Sequence, residues 1–262
     1  MNHFFPLISI ITVTYNSEET IKDTIESVLN QSYENIEYII VDGASKDTTL
    51  NIIRLYEEKF AEKKFAYSWI SESDSGIYDA MNKGIDIAKG KLIGIINSDD
   101  WYELDAIEKV VNLFQKNSKA IISGAMNRVT HEKKVYKTML NKNISNVSNF
   151  MPINHPASFV PKDIYTSIGK FDTYYKLSAD YDFMFRAFKA NIPFLYTEDL
   201  LVNMRNSGAT SQVKNLWISS SEDYHIQKKN HVKNAFLNYI KKQAFNCLVA
   251  FRDIVIKPIK NG

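Results

Sequence analysis

The sequence predicts an α/β protein: a mostly parallel central sheet flanked by helices, with a helical appendage at the C-terminus. Three observations carry the prediction. Over the first 125 residues, short apolar, β-branched runs alternate with segments of helical period. Each apolar run stops at a polar or acidic turn. Beyond Val213 only the helical period remains. Regular strand-helix alternation builds a parallel sheet covered by helices, whose strands read as near-continuous apolar runs.

The elements follow in order. Leu7 to Thr14 is the first buried strand. Asn16 is placed to cap the next helix, with Glu19 at the capping-box position and Ile21, Ile25, Val28 and Leu29 as its apolar stripe. Ile36 to Val41 is a second strand, ended by Asp42-Gly43, and a helix is expected from about Asp47 to Phe60. Tyr67 to Ser71 is a third strand. Ile77 to Ala88 is a helix closed by Gly90. Leu92 to Asn97 is a fourth strand, and Glu103 to Lys116 another helix. After Ile121 the rhythm breaks. Residues 130–175 read as irregular, punctuated by Pro152, Pro156 and Pro161. A helix from about Asp180 to Ala190 and a strand from Phe194 to Met204 complete a body over residues 1–212. Residues 213–262 form a basic tail in which Phe236, Ile240, Ala244, Cys247, Leu248, Phe251 and Val255 recur at helical spacing.

Composition narrows the function classes. With 262 residues, 45% of them hydrophobic, the chain can bury a core without disulfide or structural metal. Its one cysteine, Cys247, has no internal partner, and no Cys/His spacing suggests zinc. A reducing, cytoplasmic setting fits. No apolar run approaches the roughly 18 residues of a membrane span. Phe4 to Val13 lacks the basic start and small-residue cleavage site of a signal peptide and reads as a strand. From Val213 onward there are nine Lys/Arg and three Asp/Glu, leaving 23 and 27 in the rest, a net of −4. The basic surplus is either a solvated helix face or an attraction to anionic lipid headgroups or a lipid-phosphate acceptor. No basic-aromatic motif of a nucleic-acid reader is present. The tail therefore either packs on the body or makes peripheral contact with a membrane.

In an open α/β sheet, ligands bind at the carboxyl ends of the parallel strands. Those ends carry Thr14-Tyr15-Asn16, Asp42-Gly43-Ala44-Ser45, Glu72-Ser73-Asp74-Ser75-Gly76 and Asn97-Ser98-Asp99-Asp100. Any one of these is an ordinary turn or cap. Four on one edge make a site. Asp99 and Asp100 repel one another, and hard carboxylate oxygens suit Mg²⁺ or Mn²⁺, ions that bind substrate phosphates. Neither G-x-G-x-x-G nor G-x-x-x-x-G-K-S/T occurs, which argues against dinucleotide oxidoreductases and P-loop enzymes.

Ile8 to Asn16 (ISIITVTYN), Val41 to Thr48 (VDGASKDT), Asp74 to Gly84 (DSGIYDAMNKG) and Gly94 to Trp101 (GIINSDDW) resemble, in order, the motifs of glycosyltransferase family 2. These are inverting, metal-dependent enzymes of GT-A fold. NSDDW is similar to the branch that includes O-antigen and capsule sugar transferases. The resemblance covers about residues 7–210. It implies a donor-nucleotide half over about 1–125 and an acceptor half over about 126–212. It also implies a UDP-sugar donor, Mg²⁺ or Mn²⁺ as cofactor, and a glycan acceptor, which the basic tail suggests is lipid-linked. Residue by residue, it implies that Tyr15 lies beside the uracil, with Thr14 and Asn16 shaping the pocket. Asp42 accepts from the base, and Asp74 faces the nucleoside. Lys83 meets the diphosphate or is a solvated helix lysine. Asp99 is the metal-binding aspartate, flanked by Ser98. Asn97 stands where the family has an acid and offers a ribose contact without charge. Asp100 is an indirect ligand, an acceptor contact or a helix cap.

Inversion needs one carboxylate to deprotonate the acceptor hydroxyl. Ser178 to Asp182 (SADYD) is similar to the family's E-D-x-D segment, with Ala179 in place of the first acid. Asp180 aligns with the catalytic base, and Asp180 or Asp182 also reads as a simple N-cap. Further contacts with acceptor or phosphate are expected from Asp182, from His155, and from Arg205 and Ser207 in RNSGATS. His155 equally reads as a structural loop residue, and RNSGATS as a turn. Two rival functions stand beside this one. A nucleotidyltransferase needs a Gly-rich basic loop where this chain has TYNSEET. A non-catalytic sugar-nucleotide binder is favoured by Asn97 and Ala179, and opposed by Asp99 and Asp180.

Overall fold

The computed structural model describes residues 5–206 and 213–251. The strand-helix alternation is present: β1 (Ile8–Thr14), α1 (Ile21–Leu29), β2 (Ile36–Asp42), α2 (Thr49–Arg54), α3 (Glu57–Glu62), β3 (Ala66–Ser71), α4 (Ile77–Ile87) and β4 (Leu92–Asn97). All seven residues of β1 and of β2 are buried, as strands covered on both faces require. β1 pairs in parallel with β2 on one side and β4 on the other, and β2 with β3. These registers bring Thr14, Asp42, Ser71 and Asn97 to one edge.

The second half is mixed rather than parallel. It contains β5 (Trp101–Tyr102), α5 (Ala106–Lys116), β6 (Ile121–Val129), β7 (Val135–Met139), β8 (Ser158–Pro161), α6 (Lys162–Ile168), α7 (Ala179–Lys189) and β9 (Phe194–Arg205). Strand order along the sheet is β3-β2-β1-β4-β8-β6-β9-β5, with β7 added to β6. β8 runs antiparallel to both β4 and β6, whereas β6 and β9 are parallel.

Several sequence expectations change. Asn16 does not cap α1: it adopts a left-handed backbone (φ 49°), and its side chain accepts from Lys46 N at 2.8 Å. The helix expected over residues 47–60 is two short ones. The segment expected to be irregular, 130–175, holds two strands and a helix. β6 is hidden in the sequence because it is polar in places. Ser123 and Asn127 are buried in it, satisfied by Ser158 Oγ (2.8 Å) and Asn203 Oδ1 (3.0 Å).

The tail continues as α8 (Val213–Lys229) and α9 (Ala235–Phe251). α8 packs on the body: Ile226 is fully buried, and Gln227 donates to Tyr181 Oη at 3.0 Å. Among the described residues, no helix is long and apolar enough to cross a membrane.

Gly90 lets the α4–β4 connection lie against β1. Its N–H donates to Ser9 Oγ (2.8 Å), and Ser9 Oγ donates to the buried Glu37 (2.5 Å). A Cβ on Gly90 would stand 2.5 Å from Ser9 N and 2.8 Å from Leu7 O, both backbone atoms. Gly90→Ala is therefore predicted to destabilise the fold by about 1–3 kcal/mol, read as a lower urea midpoint. An unchanged midpoint would contradict this packing.

Candidate active site

The sheet edge opens into a cavity of about 920 Å³. One wall is Tyr15, Gly43 and Asp74; the other is Asn97, Ser98 and Asp99. Gly43 allows the first wall to close. A Cβ there would stand 2.9 Å from Asp74 Oδ2 and 3.5 Å from the Tyr15 ring. Thr14 also lines the cavity, and its buried Oγ1 makes no hydrogen bond within the chain. Burying an unpaired hydroxyl is costly, so a ligand donor or acceptor suits this position.

Asp42 lies behind the wall, fully buried. It accepts from Ser45 N (3.0 Å), Ser45 Oγ (2.5 Å) and Ser71 Oγ (2.6 Å). Ser45 Oγ in turn accepts from Asn16 N at 2.8 Å. The chain Asp42–Ser45–Asn16 thus fixes the β1 and β2 turns to each other. Asn16 (φ 49°) and Ala44 (φ 62°) both hold left-handed backbones there, a cost that such cross-turn bonds offset. Lys83 is not among the cavity-lining residues. Its ammonium is taken by Asp74 (2.7 Å), Glu72 (2.9 Å) and Ser73 O (3.0 Å). Asp74 and Glu72 hold its pKa above the ordinary lysine value.

The acidic turn is divided by depth. Asn97, Ser98 and Asp99 line the cavity, with Ser98 Oγ 2.8 Å from Ser17 Oγ. Asp100 is fully buried behind them and does not line the cavity. It accepts from Arg205 N at 3.0 Å. Burial, reinforced by the charge of Asp99, pushes its pKa well above the carboxylate range. Arg205, expected at a phosphate, is 3% exposed and turned inward. It donates to Asp99 O (2.6 Å), pairs with Asp23 and stacks 4.7 Å from the Trp101 ring centroid. Asp23 also meets Lys133 at 2.8 Å. Ser207 lies outside the described residues. Neither Asp100 nor Arg205 lines the cavity, and both hold the acidic turn from behind.

Asp180 sits in the first turn of α7, after the N-cap position, which Ser178 occupies. Its Oδ1 accepts from Tyr78 Oη (3.1 Å) and Tyr181 N (2.9 Å). Tyr78 follows Ile77, a cavity-lining residue, so Asp180 is joined to the cavity wall from the other half of the chain. Burial, then the Asp180 charge, pushes the Tyr78 hydroxyl well above its usual pKa and keeps it a donor. Phe171 packs 5.5 Å from Tyr78 and 5.6 Å from His155, ring to ring. Burial lowers the His155 pKa, with the Asp180 charge opposing. Asp182 is elsewhere. It is fully buried, paired with Arg186 at 2.7 Å, and Arg186 ties the 168–170 turn through its carbonyls. It does not line the cavity, and its pair with Arg186 latches α7 to that turn.

Two features escaped sequence reasoning. Tyr78 falls within the helix expected over Ile77 to Ala88, and nothing local marks its hydroxyl. Glu222, in α8, accepts from three successive backbone amides: Lys176 (2.7 Å), Leu177 (2.9 Å) and Ser178 (3.0 Å). Asp223 beside it accepts from Ser178 Oγ at 2.7 Å. The tail therefore holds the segment that leads into Asp180, a contact no sequence spacing reveals.

The model of the family described as Glycosyl transferase family 2 matches residues 9–185. The chain belongs to glycosyltransferase family 2. As a family member it is a glycosyltransferase, and the matched segment spans β1 to α7, from the cavity to Asp180. The chain is 37% identical over 120 residues to TuaG of Bacillus subtilis, named for teichuronic acid biosynthesis. That match covers 46% of this chain and 46% of TuaG, so it spans about half the length of each. Solved structures show the GT-A fold. S. aureus TarS 1–349 in complex with UDP-GlcNAc aligns with TM-score 0.64 at 17% identity, over 84% of this chain and 70% of that one. The mannosyltransferase PcManGT of Pyrobaculum calidifontis, in complex with GDP-Man and Mn²⁺, aligns with TM-score 0.67 at 17% identity, over 93% and 70%.

The Glu222 contacts generate a prediction for this glycosyltransferase. Glu222→Ala removes a carboxylate from three amides, each such charged bond contributing up to about 1.5–3 kcal/mol. Amide hydrogen exchange at Lys176, Leu177 and Ser178 should accelerate markedly while β1 and β2 stay protected. Unchanged exchange at those three amides would show that the tail does not hold the segment.

Proposed function

We propose that the chain transfers a hexose or N-acetylhexosamine from a UDP-sugar to a hydroxyl of a lipid-linked glycan, with inversion, in cell-surface polysaccharide synthesis on the cytoplasmic side of a membrane. The observation that carries this is the cavity at the parallel strand ends, with an aromatic and a carboxylate on one wall and a single acidic turn on the other. Tyr15 offers a face for the uracil, and Thr14 Oγ1 and Asp74 offer polar atoms to the nucleoside. Asp42 acts through Ser45 and Asn16, shaping that end. Lys83 positions Asp74. Asn97 and Ser98 are left for ribose and phosphate oxygens.

A divalent ion fits this site in one way. Among the described residues no group of three His, Cys, Asp or Glu is placed to hold a metal. Mg²⁺ and Mn²⁺, however, bind through one or two carboxylates plus substrate phosphates and waters. Asp99 supplies the carboxylate, so the ion arrives with the nucleotide diphosphate. Bound, it would offset the charge of the leaving diphosphate. Relatives support donor and metal: TarS is solved with UDP-GlcNAc, PcManGT with GDP-Man and Mn²⁺. TuaG, named for teichuronic acid biosynthesis, supports a cell-surface glycan as product.

Asp180 is the base. Tyr78 donates to its Oδ1, which orients the carboxylate and leaves Oδ2 for the acceptor hydroxyl. As the acceptor oxygen bonds to the anomeric carbon, its proton passes to Asp180. The bond to the nucleoside diphosphate breaks on the opposite face, and the configuration inverts. His155, with its pKa lowered by burial, stands in this cluster as a neutral group.

Asp180→Asn should lower kcat by about 10²–10⁴-fold while UDP affinity, measured by calorimetry, stays within error. Turnover near wild type would remove Asp180 from the chemistry. Tyr78→Phe keeps the ring and loses only the orienting bond, so a smaller fall in kcat with unchanged donor KM is expected.

A further inference from the structure

Helix α9 packs the wrong way round for an ordinary surface helix. Its polar side faces the protein. Asn238 donates to Gln227 Oε1 (3.0 Å) and Ser148 O (3.2 Å). Lys242 donates to Asp223 Oδ2 (2.5 Å), and the buried Asn246 donates to Ser220 Oγ (2.7 Å) and Leu216 O (3.0 Å). Its apolar side faces out: Phe236 is 65% exposed, Phe245 62% and Leu248 70%, with Leu237 and Ile240 about half exposed. At 3.6 residues per turn these five positions share one half of the helix. A contiguous outward apolar face of this kind marks an interaction surface.

Charge identifies the occupant. The tail carries nine basic and three acidic residues. Two of the acids, Glu222 and Asp223, are turned inward onto the α7 approach and Lys242. Lys241 lies exposed among the outward apolar residues. The outward face of α9 therefore carries apolar side chains with an exposed lysine among them, on a tail whose sequence is net basic. An anionic bilayer surface complements both properties: apolar side chains enter the acyl boundary and lysines meet headgroups.

We propose that α9 docks this face on an anionic lipid surface, lying in the plane of the interface. α9 packs on α8, the helix whose Glu222 holds Lys176 to Ser178, so docking of α9 sets the height of Asp180 above the membrane. The docking is independent of the sugar-transfer reading.

The test is vesicle co-sedimentation of the full chain with phosphatidylcholine, with and without phosphatidylglycerol. The triple variant Phe236→Ser, Phe245→Ser, Leu248→Ser keeps the inward polar contacts of Asn238, Lys242 and Asn246, gives up the Phe236–Tyr224 ring contact, and is checked for fold by circular dichroism and by its UDP-induced shift in Tm. Wild type should pellet with the anionic vesicles, release at high salt, and partition at least about tenfold more strongly than the variant. Wild type staying in the supernatant, or the variant pelleting equally, would overturn the proposal. So would a concentration-dependent dimer, seen by analytical ultracentrifugation, that the variant abolishes without any vesicle binding: the occupant is then a second copy. Loss of UDP response with vesicle binding intact would instead count against the sugar-transfer reading alone.

Discussion

Two adjacent aspartates stand at the end of a buried parallel strand, and the site depends on how the fold separates them. Asp99 stays at the cavity. Asp100 is drawn fully inside, where burial and its neighbour's charge favour its protonated form. Arg205 makes this arrangement possible. Its backbone N–H satisfies Asp100, and its guanidinium holds Asp99 O and Asp23. Breaking a buried pair by removing one partner is far more damaging than losing a surface contact. The clamp links α1, the β4–β5 turn and the end of β9, with Arg205 lying 105 residues from Asp100 and 182 from Asp23.

A second coupling joins the two halves from the other side. Asp180 is reached from α4 through Tyr78 and from α8 through Glu222. Neither contact belongs to the element that carries Asp180. The carboxylate is thus oriented from α4, the segment leading into it is held from α8, and α7 itself is latched by Asp182 and Arg186. Rigid packing of the supporting groups is what lets a single carboxylate keep a fixed angle to the cavity.

The first half, β1 to β4, was legible in the sequence because its physics is local. Strands buried on both faces read as Ile/Val runs, and turn residues at their ends mark the ligand edge. β1, β2, β3 and β4 lie close to the expected bounds. The second half was less legible because its determinants are distant. β6 buries Ser123 and Asn127, whose partners lie on β8 and β9, so it does not look like a strand. The family resemblance offers Asp100, Asp182 and Arg205 as ligand contacts, beside readings as caps or a turn. Their burial depends on partners that spacing cannot supply. The tail was read as amphipathic, and it is. Which side faces inward was not readable, because Asn238, Lys242 and Asn246 find their partners on α8 and the 148 turn.

The central claim of the proposal is that a nucleoside diphosphate and a divalent ion would bind together at the mouth of β1 and β4, with Asp99 as the ion's carboxylate ligand. Isothermal titration of UDP, with Mn²⁺ and with EDTA, for wild type and Asp99→Asn tests it directly. UDP should bind wild type tightly only with Mn²⁺, and Asp99→Asn should lose most of that metal enhancement while keeping its fold. Equal UDP affinity with and without metal, or a full metal enhancement in Asp99→Asn, would contradict it.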